Sequence, residues 1–218
     1  MSEKTPNQTQ NKPSFEKVYQ KIKSPAQAKI ESLKWRNRGE SVVVIDVVCD
    51  ILHKKHFEYF HEVSRLADRM IVRMVEKTKK HKDGSIVSYQ NRAEALAHSP
   101  YIDTITSMQD GDNLDWISEY KPTTIVKSTT SGAKVINQIN DLQGLKLDYE
   151  PKIIVMDHDC LFVPLDQAEA QGQYFDENKH SFGGISSTAI KKTIIDRDRL
   201  DNQEFLQCDI SQILRNNI

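Results

Sequence analysis

The sequence predicts an α/β fold: a doubly wound, mostly parallel sheet of about five strands. Three observations lead there. Runs such as Val42–Val48 are β-branched and apolar on both faces, as strands covered on two sides must be. Segments with helical spacing separate those runs at regular intervals. The chain has 218 residues, enough for one such domain with a sizeable core.

The elements follow in order. Residues 1–13, MSEKTPNQTQNKP, are polar and aperiodic and read as a disordered tail. Residues 14–40 form an N-terminal helical segment. Phe15, Val18, Tyr19 and Ile22 share one face, and after an N-cap at Ser24 and a first-turn proline at Pro25 the run continues through Ala28, Ile30, Leu33 and Trp35. That stretch fits either a packed core helix or a dimer interface. Arg38-Gly39 ends it. The main domain spans 41–195, with strands expected over Val42–Val48, Arg69–Val75, Thr104–Met108, Thr123–Val126 and Lys152–Met156. Helices are expected over Phe57–Leu66, Gln90–His98, Leu114–Tyr120 and Ala133–Leu142, with a loop-rich insert from Leu165 to Gly184 before a Ser/Thr-rich helix start in ISSTAIKKTIID. Residues 196–218 are a C-terminal extension.

Composition narrows the function classes. A formal charge of −1 offers no broad electrostatic footprint for nucleic acid or a membrane surface. No apolar run approaches a bilayer span, and the N-terminus has no apolar signal core. Cys49, Cys160 and Cys208, odd in number and far apart, point to a reducing, cytoplasmic setting.

Ligands of doubly wound sheets bind beyond the carboxyl ends of the strands, where the strand order reverses. His53 and His56 follow such a strand end directly. Two histidines at a helix start are commonly just solvated or capping residues. A zinc site would need further ligands, and no second Cys/His cluster accompanies them. A phosphate site fits their position, because imidazoles at i and i+3 share a side with the free N–H groups of the first turn, beside Lys54 and Lys55. Downstream, Gly183-Gly184 precede Ser186, Ser187 and Thr188 at another helix start, which reads as an ordinary N-cap or as a second phosphate cradle. Asp46, a carboxylate at a strand end, caps a turn, pairs with Lys55 or Lys127, or holds a metal. Asp157-His158-Asp159 is a polar strand-end loop or a cation site.

The stretch VVVIDVVCDILHKKHFEYFHEVSRLADRMIVRMV resembles the first strand–helix–strand of the cytidylyltransferase-like nucleotidyltransferases, a Rossmann-like family with an HxxH motif. The nearest branch is the heptose-1-phosphate adenylyltransferase domain, followed by glycerol-3-phosphate cytidylyltransferase. YQNRAEALAHSPYIDTI, ISEYKPTTIVKS and GISSTAIKK are similar, in order, to later motifs of that family. The resemblance implies transfer of a nucleotidyl group from CTP or ATP to a phosphorylated sugar or polyol, with Mg²⁺ accompanying the triphosphate and pyrophosphate released. It implies catalytic roles for His53 and His56, with Lys55 between them. Nucleotide binding falls to Val48, Cys49, Asp50, Arg92, Lys127, Ser186, Ser187 and Thr188, with Arg92 and the Ser186–Thr188 segment on the β- and γ-phosphates. Asp46 and Lys82 would face the acceptor. The implied partners are the triphosphate and a small phosphorylated acceptor, with no nucleic acid or membrane, in a protein that is often a homodimer. The sequence departs from the family pattern at Asp46 (family Asn), Val47 (Gly), Cys49 (an aromatic), Lys55 (Gly) and Thr130 (Asp). The alternative is a catalytically degenerate nucleotide-binding or scaffolding relative of the same fold.

Overall fold

The computed structural model describes residues 15–76, 85–109, 114–128, 141, 144–156 and the backbone of 162–163. Chain order is α1 (Phe15–Tyr19), β1 (Ile22–Lys23), α2 (Pro25–Asn37), β2 (Val42–Val47), α3 (Lys54–Ser64), β3 (Arg69–Val75), α4 (Tyr89–Ala97), β4 (Thr104–Met108), α5 (Asp115–Tyr120), β5 (Thr124–Ser128), β6 (Lys152–Met156) and β7 (Phe162–Val163). The expected helix over 133–142 (Asp141 apart), the 165–184 insert, the helix starting in ISSTAIKK and Asp157–Asp159 lie outside the described residues.

One seven-stranded sheet has the order β1-β4-β3-β2-β5-β6-β7. All neighbours pair in parallel except the edge strand β7. The count exceeds the expected five because the edges are two-residue strands, too short to show any period in sequence. Ile22 accordingly leaves the expected helical run and pairs with Ile105. Ser24, two residues on, precedes a proline, which holds it extended (φ −64, ψ 159), so the chain cannot stay helical there. Ser24 then caps α2: its hydroxyl accepts from the Gln27 amide, and the Gln27 side chain accepts from the Ser24 amide. Gly39, at φ +80, supplies the left-handed turn after the helix.

α2 buries Ala28, Ser32 and Trp35, while Ile30, expected on the inner face, is 54% exposed. Positions 28, 32 and 35 lie on one helical stripe, and the Ser32 hydroxyl is satisfied by donating to the Tyr120 carbonyl at 2.6 Å.

Alternate residues of the strands feed two cores. Val43, Ile45, Met70, Val72, Met74 and Ile105 pack with Phe60, Val63 and Leu96 of α3 and α4. Val42, Val44, Ile71 and Ile125 pack with Ala28, Trp35, Trp116, Ile117 and Tyr120 of α2 and α5. β2 leads through α3 to β3 on one side, while β5 lies on its other side. The strand order therefore reverses between β2 and β5, and that crevice is where a ligand is expected.

Candidate active site

The loop leaving β2 carries the histidines, and it is held from beneath. Cys49 takes a left-handed conformation (φ +49), which a non-glycine residue keeps only when its surroundings enforce it. Two buried charged groups do so. Arg92 of α4 donates from Nη1 to the Val48 carbonyl at 2.5 Å, from Nε to Val87 and from Nη2 to Val75 and Glu76. The Asp50 carboxylate accepts from the amides of Ile86 and Val87 at 3.1 and 2.9 Å. The end of β2, the end of β3 and the entry to α4 are thus tied through one guanidinium and one carboxylate.

Arg92, expected to meet the triphosphate, is placed by the structure beneath the loop. It is 1% exposed, and all three of its guanidinium nitrogens are engaged with backbone carbonyls, those of Val48, Val75, Glu76 and Val87. Asp50 likewise serves the backbone, and Cys49 is buried, with burial pushing its thiol up to about 12. Val48, between the strand end and Cys49, is 38% exposed.

His53 is the N-cap residue of α3 and His56 sits in its first turn. Phe60, one turn further on and fully buried, anchors the helix against the sheet. The His53 amide donates to Nδ1 of His56 at 3.3 Å, and the two rings lie 4.1 Å apart between centroids. With Nδ1 accepting, the neutral His56 ring carries its proton on Nε2, by inference from this hydrogen bond. Burial, then the proximity of His53, lowers His56 to about 4, and burial also lowers His53. At neutral pH the pair therefore offers N–H donors rather than cations. Lys54 and Lys55 both pair with Glu58, at 3.2 and 3.1 Å.

The depressed His56 value has a consequence for stability. In the unfolded chain the ring protonates near its ordinary value, while in the folded protein it does so only near pH 4. The unfolded state thus binds more protons in between, and stability falls as pH drops from about 6.5 towards 4. Urea titrations at pH 7.5 and pH 5 should differ by about 2 kcal/mol from this group alone. A His56→Asn variant, which retains an acceptor for the His53 amide, should lose that part of the difference; an unchanged pH dependence would refute the assignment.

The crevice floor holds a row of charges. Asp46 of β2 faces Lys127 of β5 across the switch point, Oδ2 to Nζ 2.9 Å, and its Oδ1 lies 3.6 Å from Nη1 of Arg73, its register partner on β3. The Arg73 guanidinium stacks 4.1 Å over the Trp116 ring. Of the alternatives open for Asp46, the structure shows the Lys127 pair, while Lys55 is turned to Glu58. Sequence reasoning missed Arg73. Its signal was present, an arginine inside the apolar strand RMIVRMV, which can be buried only with a charge partner.

Because Lys127 and Arg73 are 7% and 2% exposed, removing their shared carboxylate leaves buried cations under-compensated. Asp46→Asn should cost about 3 kcal/mol in urea unfolding. If the crevice takes a triphosphate, the same variant should bind it more tightly, since a negative charge is removed; weaker binding in calorimetry would refute this electrostatic role.

Lys82, Ser186, Ser187 and Thr188 lie outside the described residues. Among the described residues no group of three or more His, Cys, Asp or Glu side chains is placed to hold a metal, and no helix is long and apolar enough to cross a membrane.

Sheet and crevice together define a doubly wound α/β protein with paired histidines at a helix N-terminus beside its switch point. The chain belongs to the Cytidylyltransferase-like family of nucleotidyltransferases, which it matches over residues 48–193. Among curated proteins it is similar to the Bifunctional protein HldE of Erwinia tasmaniensis, 27% identical over 174 residues, covering 80% of this chain and 32% of that protein. The Bifunctional protein HldE of Magnetococcus marinus is 26% identical over 111 residues, 49% of this chain and 23% of the relative. The match thus spans under a third of either relative's own length. Among solved structures, the lipopolysaccharide core biosynthesis protein of Thermoplasma volcanium is 23% identical, covers 54% of this chain and 96% of its own, and superposes with a TM-score of 0.45.

Proposed function

We propose that this protein couples a nucleoside triphosphate, CTP or ATP, to a phosphorylated sugar or polyol and releases pyrophosphate. The observation that carries this reading is the His53–His56 pair, neutral and closely packed at the N-terminus of α3, beside the β2/β5 switch point. Family membership and the similarity to HldE support it.

An oxygen of the acceptor's phosphate attacks the α-phosphorus, and the bond from that phosphorus to the oxygen bridging the β-phosphate breaks. No covalent enzyme intermediate is needed. The protein's task is to hold the two phosphates in line and stabilise the charge that grows on the α-phosphate oxygens. Nε2–H of His56 and the N-terminal end of α3 are the groups that meet that charge. Lys127 supplies a cation at the switch point, tempered by Asp46. Lys55, which pairs with Glu58 at 3.1 Å, adds positive charge at the start of α3. Asp46 and Asp50 are engaged with cations and backbone amides, so a Mg²⁺ ion would arrive with the triphosphate and would supply charge neutralisation for the leaving pyrophosphate. The Ser186–Thr188 segment is proposed to meet the β- and γ-phosphates.

The test is pyrophosphate release by the purified full chain with Mg²⁺, each of the four ribonucleoside triphosphates in turn, and a pool of sugar and polyol phosphates. Release with one triphosphate establishes the transferase and names its nucleotide. Triphosphate binding without release from any pairing would instead select the catalytically degenerate relative.

A further inference from the structure

Three charged residues lie side by side across the carboxyl ends of the central strands. Asp46 of β2 is in register with Arg73 of β3. On the other side of β2, Ile45 is in register with Val126, which sets Lys127 of β5 next to Asp46. The row holds two buried cations and one carboxylate, and the carboxylate is divided between them. Its Oδ2 accepts from Lys127 Nζ at 2.9 Å, whereas Oδ1, buried and without a hydrogen bond among the described residues, lies 3.6 Å from Arg73 Nη1. Stacking on the Trp116 ring fixes the Arg73 guanidinium in place. On its far side Arg73 lines a cleft of about 320 Å³ together with Asp115 and Glu119 of α5. Those two acids are exposed, so solvent screens them from the row more than it screens Asp46.

We propose that Arg73 sets the charge of the crevice: it offsets the Asp46 carboxylate and so leaves the charge of Lys127 to attract the triphosphate. This rests on the nucleotidyltransferase reading above. Paired with Asp46 alone, Lys127 would be cancelled, and the row would offer an anion no net attraction. The second cation changes the sum. With Arg73 in place the row carries one net positive charge, and the carboxylate is held between two cations. Both cations are buried, and in a medium less polar than water that charge acts over several ångströms with little screening. Arg73 therefore needs no contact with the ligand. It acts through the field of the row, in the way that summed charges in a low-dielectric cleft concentrate a counter-ion.

The test is calorimetric titration of the full chain with the Mg²⁺ complexes of ATP and CTP. Wild type is compared with Arg73→Gln, Arg73→Lys, Asp46→Asn and the Asp46→Asn/Arg73→Gln double variant. Arg73→Gln should weaken triphosphate binding about tenfold. Arg73→Lys keeps the charge and should stay within about threefold of wild type. The double variant removes one cation and one carboxylate, keeps the net charge of the row, and should also stay within about threefold of wild type. An arginine that served packing alone would behave otherwise, since two buried substitutions would then bind more weakly than one. The same tenfold step should separate Asp46→Asn from the double variant, so the effect of Arg73 is read even if Arg73→Gln alone does not fold. The proposal is overturned if loss of Arg73 weakens binding in neither background, if Arg73→Lys loses as much as Arg73→Gln, or if the double variant binds more weakly than Arg73→Gln. Those patterns, in a protein whose wild type binds a triphosphate, remove only the role of Arg73. A wild type that binds neither triphosphate overturns the transferase reading and this inference together.

Discussion

His56→Asn is expected to lower turnover about 10²–10³-fold, the loss typical when one preorganised donor to a developing oxyanion is removed. On the proposed reading the triphosphate's KM should change little, because the start of α3 and Lys127 would still hold phosphate in the ground state. Asparagine is the informative substitute. It can accept from the His53 amide as Nδ1 of His56 does at 3.3 Å, so the helix start stays intact while the Nε2–H donor disappears. The measurement is steady-state pyrophosphate release at saturating triphosphate. Wild-type turnover in the variant would mean that the ring caps the helix and takes no part in the chemistry.

Arg92→Leu is expected to cost about 4 kcal/mol or more, since it strips buried carbonyls of a charged donor whose hydrogen bonds each carry about 1.5–3 kcal/mol. Val48, Val75, Glu76 and Val87 would lose their donor together, and Asp50 would lose the cation beside it. For a chain of this size the melting temperature should fall by about 10 °C or more. Arg92→Lys keeps the charge but reaches fewer carbonyls, and should fall between the two. A stable Arg92→Leu protein that binds triphosphate poorly would reverse the assignment and return Arg92 to the phosphates.

The contrast between these two residues shows what can be read from a sequence. The position of His53 and His56 was legible because it lies in local order: a strand end, then a helix start with two histidines three residues apart. Local order also placed Arg92 on α4, but its partners are 5 to 44 residues away, so a surface contact and a buried brace look alike in the linear string. Asp46 shows the same limit. Its position at a strand end could be read, while its partner depended on which strand lies beside β2.

The sequence alone determined the alternation of strands and helices, the cap at Ser24, the turn at Gly39 and the placing of the histidine pair, because these follow from residues within a turn or two of each other. Three expected strand positions, Arg69–Val75, Thr104–Met108 and Lys152–Met156, match the structure to the residue. Tertiary structure alone decided the sheet order, the two short edge strands, the Asp46–Lys127 contact across the switch point and the Arg73 cleft. Those features depend on strands far apart in sequence becoming neighbours, and on buried charges finding partners that local chemistry does not name.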